Sequence, residues 1–217
     1  MAVQLMLPLT KSPPMTRTKL CIATAILMVG ITGSPCRVSA GVFGDQSPYG
    51  TLLSLKDAIY ALKATPSQAG VCDSVTAYVK FNFDSCKVRC ALYTRSGNDT
   101  VLVANAVTVE RRFAGNPNFA WQGFAFAAPK PIVHAGVEYF IAIFGDTAGA
   151  AGGGLARLAG QSSGGVLLNK PTDYESGFPS KSNPSGVVLN FRASVYCTYS
   201  VESPAIRRRH IAHPHQP

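Results

Sequence analysis

The stretch SVTAYVKFNF, residues 74–83, alternates apolar and polar side chains over most of its length. A period of two is typical of a β-strand with one face buried and the other exposed. CKVRCALYT, residues 86–94, repeats the alternation, and a direct hairpin around Asp84 and Ser85 would join the two strands. The apolar positions of the two stretches are Val75, Ala77, Val79, Phe81, Phe83, Cys86, Val88, Cys90 and Leu92.

Further strands follow at short intervals, separated by turns rich in Gly, Pro and Asn. They are VLVANAVTV (101–109), FAWQGFAF (119–126), GVEYFIAIF (136–144), which is apolar enough for burial on both faces, and GVVLNFRASVYCTYS (186–200). LLSLKDAIYALKA (52–64) fits helical spacing as well as a strand, and the all-β context favours the strand. The pattern predicts an all-β fold, an antiparallel jelly-roll-like β-sandwich.

The two ends of the chain differ from this middle part. Basic residues, an apolar run of 14 residues (20–33) and small residues at Val38 and Ala40 predict a signal peptide over 1–40. An uncleaved membrane anchor is the alternative, although 14 residues fall short of the ~20 that span a bilayer. Residues 41–202 then form one sandwich domain with a flexible Gly-rich loop at 145–165, and residues 203–217 form a disordered basic and His-containing tail. The mature protein is expected to be secreted or attached to the cell surface, without stable membrane insertion.

The charge distribution argues against nucleic-acid binding. Residues 1–40 carry four of the positive charges and no acidic residue, so their removal lowers the formal net charge from +9 to +5. Arg207, Arg208 and Arg209 in the tail supply three of those five charges. The domain itself is close to neutral, whereas nucleic-acid-binding domains have a basic patch or stripe.

Four cysteines remain after signal cleavage, namely Cys72, Cys86, Cys90 and Cys197. Cys86 and Cys90 would lie ~13 Å apart along a strand, too far for a mutual disulfide or a shared metal ion. Cys90 and Cys197 both belong to the apolar face, so a disulfide between them is predicted for an oxidising compartment. The alternative is that all four are buried free thiols.

Catalytic and metal-binding patterns are weak. His134 is the only histidine within 41–202 and has no recognisable nucleophile context, and the aspartates fall mostly in turns. His210, His213 and His215 lie in the tail, where a metal or anionic surface is one interpretation and a solvated tail the other. No cofactor and no metal site is predicted, and an enzyme, such as a hydrolase, is the less favoured interpretation.

The polar side of the strands offers a candidate ligand face, because tyrosines and cations can stack on and hydrogen-bond to a sugar or a partner. Its predicted members are Tyr78, Lys80, Arg89, Tyr93, Arg192 and Tyr196. The alternative is that residues 41–70 cover this face, or that tyrosine is simply favourable in strands. Trp121, with Phe119, Phe124 and Phe126 nearby, is predicted to be core.

Several of these segments, in this order, resemble a known module. They are similar to a jelly-roll β-sandwich module of secreted and surface proteins of prokaryotes and their viruses, whose closing strand reads YSIYxTYT. The segments are SVTAYVKF, VRCALYTRSGNDTVLVA, WQGFAF with Trp121, PKPIVHAGVEYFIAIF, the Phe178 and Pro179 pair, and ASVYCTYS. The resemblance covers residues 57–200 and transfers no catalytic residue. It implies an accessory, carbohydrate-binding-like or surface module. The expected function is non-catalytic binding of a carbohydrate or another surface polymer. The alternative is an oligomeric structural subunit of an envelope, appendage or virion.

Overall fold

The computed structural model describes residues 39–56, 58–81, 86–146, 156–182 and 188–201. The predicted signal peptide, except for Ser39 and Ala40, and the predicted tail therefore lie outside the described residues. No helix in the described ranges has the length and apolarity needed to cross a membrane.

The described chain is built from β-strands, and the prediction of an all-β antiparallel sandwich is confirmed. The jelly-roll part of that prediction stays a prediction. The ambiguous segment at 52–64 forms strands, as predicted. The strands are β1 (Ser39–Gly44), β2 (Thr51–Ser54), β3 (Ala58–Ala64), β4 (Gly70–Phe81), β5 (Cys86–Ser96), β6 (Asp99–Val107), β7 (Arg111–Phe113), β8 (Asn116–Ala125), β9 (Ile132–Val133), β10 (Tyr139–Asp146), β11 (Ala156–Pro171), β12 (Lys181–Ser182), β13 (Val188–Ala193) and β14 (Val195–Val201). One turn of 3₁₀-helix covers Tyr174–Ser176.

The strands form two layers. In the first layer β8 and β9 pair with β4, β4 with β14, and β14 with β1. In the second layer the order is β11, β3, β10, β5, β6 and β12. The long strand β11 joins the layers, since Ala156–Leu158 pairs with β4 while Leu167–Pro171 pairs with β3.

The expected hairpin between β4 and β5 is wrong. β4 pairs with strands of the first layer and β5 with β10, β6 and β7, so the two strands face each other across the core. Alternation reports which side of a strand is apolar, but not which strand lies beside it.

The main core lies between the layers. Val75, Ala77 and Val79 of β4 meet Val88 and Cys90 of β5 there, all at most 1% exposed. A second apolar cluster covers the outer surface of β3, β10 and β5 and includes Phe140, Ala142 and Phe144. All eight residues of β10 are buried, which confirms the prediction that this strand is covered on both faces.

The predicted flexible loop at 145–165 is corrected at both ends. Gly145 and Asp146 end β10, and residues 156–165 belong to β11; only 147–155 lie outside the described residues. The small residues are needed for packing, because a Cβ at Gly160 would lie 2.0 Å from Cε1 of Phe191. Glycine here admits a neighbouring phenylalanine side chain, so a Gly-rich composition was compatible with a strand.

Candidate functional site

The six predicted site residues do not share one face. Tyr78, Lys80 and Tyr196 lie on β4 and β14 in the first layer, whereas Arg89 and Tyr93 lie on β5 in the second. Since β4 and β5 are not a hairpin, their polar sides point out of the molecule on opposite sides of the core.

Four aromatic rings form a continuous cluster on the outer surface of β8, β4 and β14. The ring of Tyr78 lies 5.2 Å from that of Phe119 and 5.0 Å from that of Trp121, centroid to centroid. The ring of Trp121 lies 5.3 Å from that of Tyr196. The ammonium group of Lys80 is 5.1 Å from the centre of the Phe119 ring, within cation–π range. We call these five residues the aromatic face.

Strand register explains why the rings meet. Tyr78 is directly opposite Trp121 in the β4–β8 pair, and Tyr196 is opposite Thr76 in the β14–β4 pair. Side chains directly or diagonally opposite on one side of a sheet are close enough for aromatic contact. The intervening residues Ala77 and Val79 point into the core, so the alternation of β4 places Tyr78 outside.

The prediction that Trp121 belongs to the core is wrong. Trp121 and Phe119 are half-buried members of the aromatic face, whereas Phe124 and Phe126 are buried core residues. The sequence contained a usable signal. Phe119 and Trp121 have odd numbers and share one side of the strand, while Phe124 and Phe126 are even and fall on the other side.

Hydrogen-bonding groups continue this outer surface beyond the rings. The hydroxyls of Ser74 and Thr198 are 2.8 Å apart across β4 and β14. Asp73 accepts hydrogen bonds from the Ser200 hydroxyl at 2.6 Å and from the Lys130 ammonium at 2.7 Å. Desolvation acts to raise the pKa of Asp73, but these two hydrogen bonds and the charge of Lys130 lower it overall, so the carboxylate stays ionised at neutral pH.

Gly123 leaves the middle of the surface open. It follows Trp121 by two residues on the same side of β8 and is opposite Thr76 in the register. A Cβ at Gly123 would meet nothing closer than the Thr76 hydroxyl oxygen, at 4.0 Å. A hydroxyl is therefore accessible between the aromatic face and the polar groups.

Arg89 and Tyr93 have structural partners instead. The segment at 174–179 covers them, not residues 41–70. The Tyr93 hydroxyl donates to the Pro179 carbonyl at 2.9 Å, and burial raises the pKa of Tyr93 well above its usual value. The Arg89 guanidinium stacks 4.4 Å from the Tyr174 ring centre and donates to the Tyr174 carbonyl. Both side chains hold this covering segment in place and are not part of the aromatic face.

Arg192 also lies away from the aromatic face. It is on β13, and its guanidinium forms an ion pair with Asp45, whose side chain is only 4% exposed. Tyr49 donates its hydroxyl to the same carboxylate.

The predicted disulfide between Cys90 and Cys197 is wrong. Cys72, Cys86, Cys90 and Cys197 are all free and buried. Cys90 lies on the second layer and Cys197 on the first, where the Cys197 thiol donates a hydrogen bond to the Thr198 carbonyl at 3.5 Å. Both cysteines lie on the apolar sides of their strands and are therefore in the core, but this does not make them neighbours. The described ranges contain no group of three or more His, Cys, Asp or Glu side chains that could hold a metal ion.

We expect these four thiols to resist alkylation in the folded protein. Burial raises the pKa values of Cys90 and Cys197, and burial raises that of Cys86 to about 11. At pH 8 a pKa of about 11 lowers the thiolate fraction roughly two hundredfold relative to an ordinary cysteine. Iodoacetamide labelling followed by peptide mass spectrometry, with and without urea, measures this site by site. Rapid labelling without urea, or a linked Cys90–Cys197 peptide, would contradict it.

The fold and this surface define an all-β sandwich with an exposed aromatic face. In comparisons with known proteins, no family model, curated protein or solved structure matches the chain.

Proposed function

We propose that the protein is a secreted, non-catalytic β-sandwich module that binds a carbohydrate or another surface polymer through the aromatic face. The observation that carries the proposal is the contiguous set of four half-buried rings across three adjacent strands. Aromatic rings left partly exposed on a rigid sheet offer apolar area for the faces of sugar rings at low conformational cost. The resemblance to jelly-roll surface modules supports the same function.

The arrangement of groups suits a polymer better than a small ligand. The rings cross β8, β4 and β14, and hydroxyl and charged groups follow along β4 and β14. On β14, Tyr196 and Ser200 are four residues apart, which is ~13 Å along a strand. A chain of several sugar units would contact the rings at one end and Ser74, Thr198 and Asp73 at the other.

Trp121 is the only tryptophan in the chain, so its fluorescence reports on the face directly. We expect a binding glycan to change its emission and protect it from acrylamide quenching. A panel of soluble cell-surface and cell-wall polysaccharides, titrated against the purified protein, provides the test. Absence of any change across the panel, together with no retention on insoluble polymers, would overturn the proposal.

Removing a ring from the face should weaken binding without unfolding the protein. Phe119→Ala and Tyr196→Ala are expected to weaken polysaccharide binding about two- to tenfold each, because a stacked ring contributes ~0.5–1.5 kcal/mol. Phe178→Ala is the matched control, since Phe178 is also half-buried but contacts Tyr93 in the second layer. Affinity electrophoresis measures the ratio, and equal losses in all three variants would contradict the assignment.

Secretion rests on the N-terminal sequence pattern and is tested separately. Cleavage after Ala40 predicts a mature protein that begins at Gly41 and keeps four of the six residues of β1. Mass spectrometry of the exported protein determines this end. An intact N-terminus retained in the membrane would support the anchor alternative.

A further inference from the structure

Two cations lie side by side at one end of the aromatic face. Arg157 of β11 is directly opposite Lys80 of β4 in the antiparallel register. Ala156 and Leu158, the chain neighbours of Arg157, are fully buried in the core, so Arg157 points outward on the same side of the sheet as Lys80. Residues directly opposite each other in such a pair have Cβ atoms ~5 Å apart. We call Lys80 and Arg157 the cation pair.

The cation pair extends the aromatic face by one strand. The ammonium group of Lys80 lies 5.1 Å from the centre of the Phe119 ring. Because β8, β4 and β11 are successive neighbours with a spacing of ~4.8 Å, Phe119, Lys80 and Arg157 form one row across three strands. Ser54 of β2 is opposite Arg157 on the far side of the row. A ligand that stacks on Phe119 is therefore within reach of both charges.

The charges of the cation pair are not neutralised by the protein. Among the described residues, neither cation has a carboxylate within ion-pair distance. Elsewhere on the surface Lys63 pairs with Glu138, and Arg192 pairs with Asp45. Like charges directly opposite each other in a sheet are destabilising. An anionic group that contacts both cations would remove this repulsion.

The guanidinium of Arg157 has a donor that the protein does not use. Its Nε is buried and has no hydrogen-bond acceptor in the part of the chain that the structure describes. A buried donor without an acceptor costs free energy comparable to a lost hydrogen bond. Rotation about the side-chain bonds can turn Nε and a terminal nitrogen together toward one carboxylate, which accepts two parallel hydrogen bonds from a guanidinium. The side chain thus suits a ligand with paired anionic oxygens.

The opposite end of the surface does not repel such a ligand strongly. Asp73 precedes Lys80 by seven residues on β4, which is ~23 Å along a strand. Its carboxylate is paired with the Lys130 ammonium and accepts a hydrogen bond from the Ser200 hydroxyl. An acidic polymer is therefore attracted at the cation pair and meets a neutralised carboxylate at the other end.

We propose that the ligand of the aromatic face is an acidic polysaccharide and that the cation pair binds one of its anionic groups. The assignment of a polysaccharide rests on the function proposed above, whereas the requirement for an anion rests on Lys80 and Arg157. The sugar rings stack on Phe119 and Trp121. A uronate carboxylate or a sulfate ester lies between the ammonium and guanidinium groups, which makes Arg157 a further residue of the binding site.

Matched ligands test the charge requirement on the unmodified protein. Hexagalacturonate and its fully methyl-esterified form share a backbone and differ in charge, and dextran sulfate and dextran are the corresponding pair for sulfate. Isothermal titration calorimetry is expected to show about tenfold tighter binding of the charged member of at least one pair, since charge-assisted hydrogen bonds are the stronger ones. Added NaCl should weaken binding of the charged member alone.

Substitutions locate the charge requirement on the protein. Arg157→Gln should weaken binding of the charged ligand about tenfold, because it loses hydrogen bonds to a charged group. Lys80→Gln should weaken it about threefold, as expected for a more exposed charge. Neither should alter binding of the neutral member. Arg112→Gln is the matched control, since Arg112 is an exposed arginine on β7, which pairs with β5 in the second layer.

A thermal melt without ligand separates binding from structure. Because Arg157 has no hydrogen-bond or ion-pair partner in the described ranges, Arg157→Gln should leave the midpoint unchanged or raise it. A lowered midpoint would assign Arg157 a structural function and contradict the proposal.

The remaining outcomes separate this proposal from the function proposed above. Binding confined to neutral polymers, equal affinity for both members of each pair, or unchanged affinity of Arg157→Gln would overturn the acidic ligand and leave the aromatic face as a site for neutral sugars. Loss of binding in Arg157→Gln without loss in Phe119→Ala and Tyr196→Ala would support the cation pair and contradict the stacking function of the rings. Absence of binding by all four ligands and by the wider panel would overturn both proposals.

Discussion

Replacing Phe144 by alanine is expected to lower the free energy of unfolding by about 3–5 kcal/mol. Phe144 is fully buried on the outer side of β10, where its ring lies 4.9 Å from that of Tyr174 and 5.8 Å from that of Phe178. The truncation would leave a cavity beneath the segment that covers the second layer. Urea unfolding followed by circular dichroism measures the change, which should shift the midpoint and leave the slope unaltered.

The matched control is Phe119→Ala, which removes the same side chain from a half-buried position on the aromatic face. Its expected cost is about 1 kcal/mol, since less area returns to water and little cavity forms. Equal losses at the two positions would show that the second apolar cluster contributes no more to stability than a surface contact.

The second large effect is expected at Gly160. A Cβ there would lie 2.0 Å from Cε1 of Phe191 and 2.7 Å from the backbone oxygen of Arg192. Because a ring and a backbone atom must both move, Gly160→Ala should destabilise the fold by about 2–3 kcal/mol, toward the upper end of overpacking costs. The same urea titration measures it.

Gly50→Ala is the control for Gly160, because a Cβ at Gly50 would have no neighbour within 4 Å. Its expected effect is within about 0.5 kcal/mol, or slightly stabilising through the unfolded chain. Adding Phe191→Leu to Gly160→Ala should recover part of the loss by making room. If Gly160→Ala behaved like Gly50→Ala, β11 would not pack against β13 as described.

The sequence predicted strands well where one side is buried. The alternation in β4 and β14 correctly separated Val75, Ala77 and Cys197 from Tyr78 and Tyr196, because a half-buried strand has a period of two. It could not predict which strands are neighbours. Pairing depends on contacts between distant parts of the chain, and for this reason the hairpin and the Cys90–Cys197 disulfide were wrong.

The sequence predicted only in part which outward-facing residues lie together. Tyr78, Lys80 and Tyr196 do lie together. Arg89 and Tyr93 lie on the other layer, where the later segment 174–179 contacts them, and alternation alone cannot predict such a cover. The outward position of Trp121 was missed because its large side chain suggested burial. Its even-number spacing from Phe119, and odd-number spacing from the buried Phe124 and Phe126, place it on the outer side of β8. In both cases the position of the side chain depends on which residues it contacts in the fold, and residue type alone does not predict those contacts.

The pairing of β1 with β14 has a consequence for the order of folding. The first strand finds its partner only when the last strand exists, and β14 is also a neighbour of β4. Until the nascent chain includes β14, β1 therefore lacks its partner strand. Residues 71–77 of β4 then also lack the hydrogen-bonded neighbour on one side. The first layer closes late, after synthesis of nearly the whole domain. A truncation before β14 would leave one backbone edge of β4 unpaired and would remove Val195, Cys197 and Tyr199 from the core.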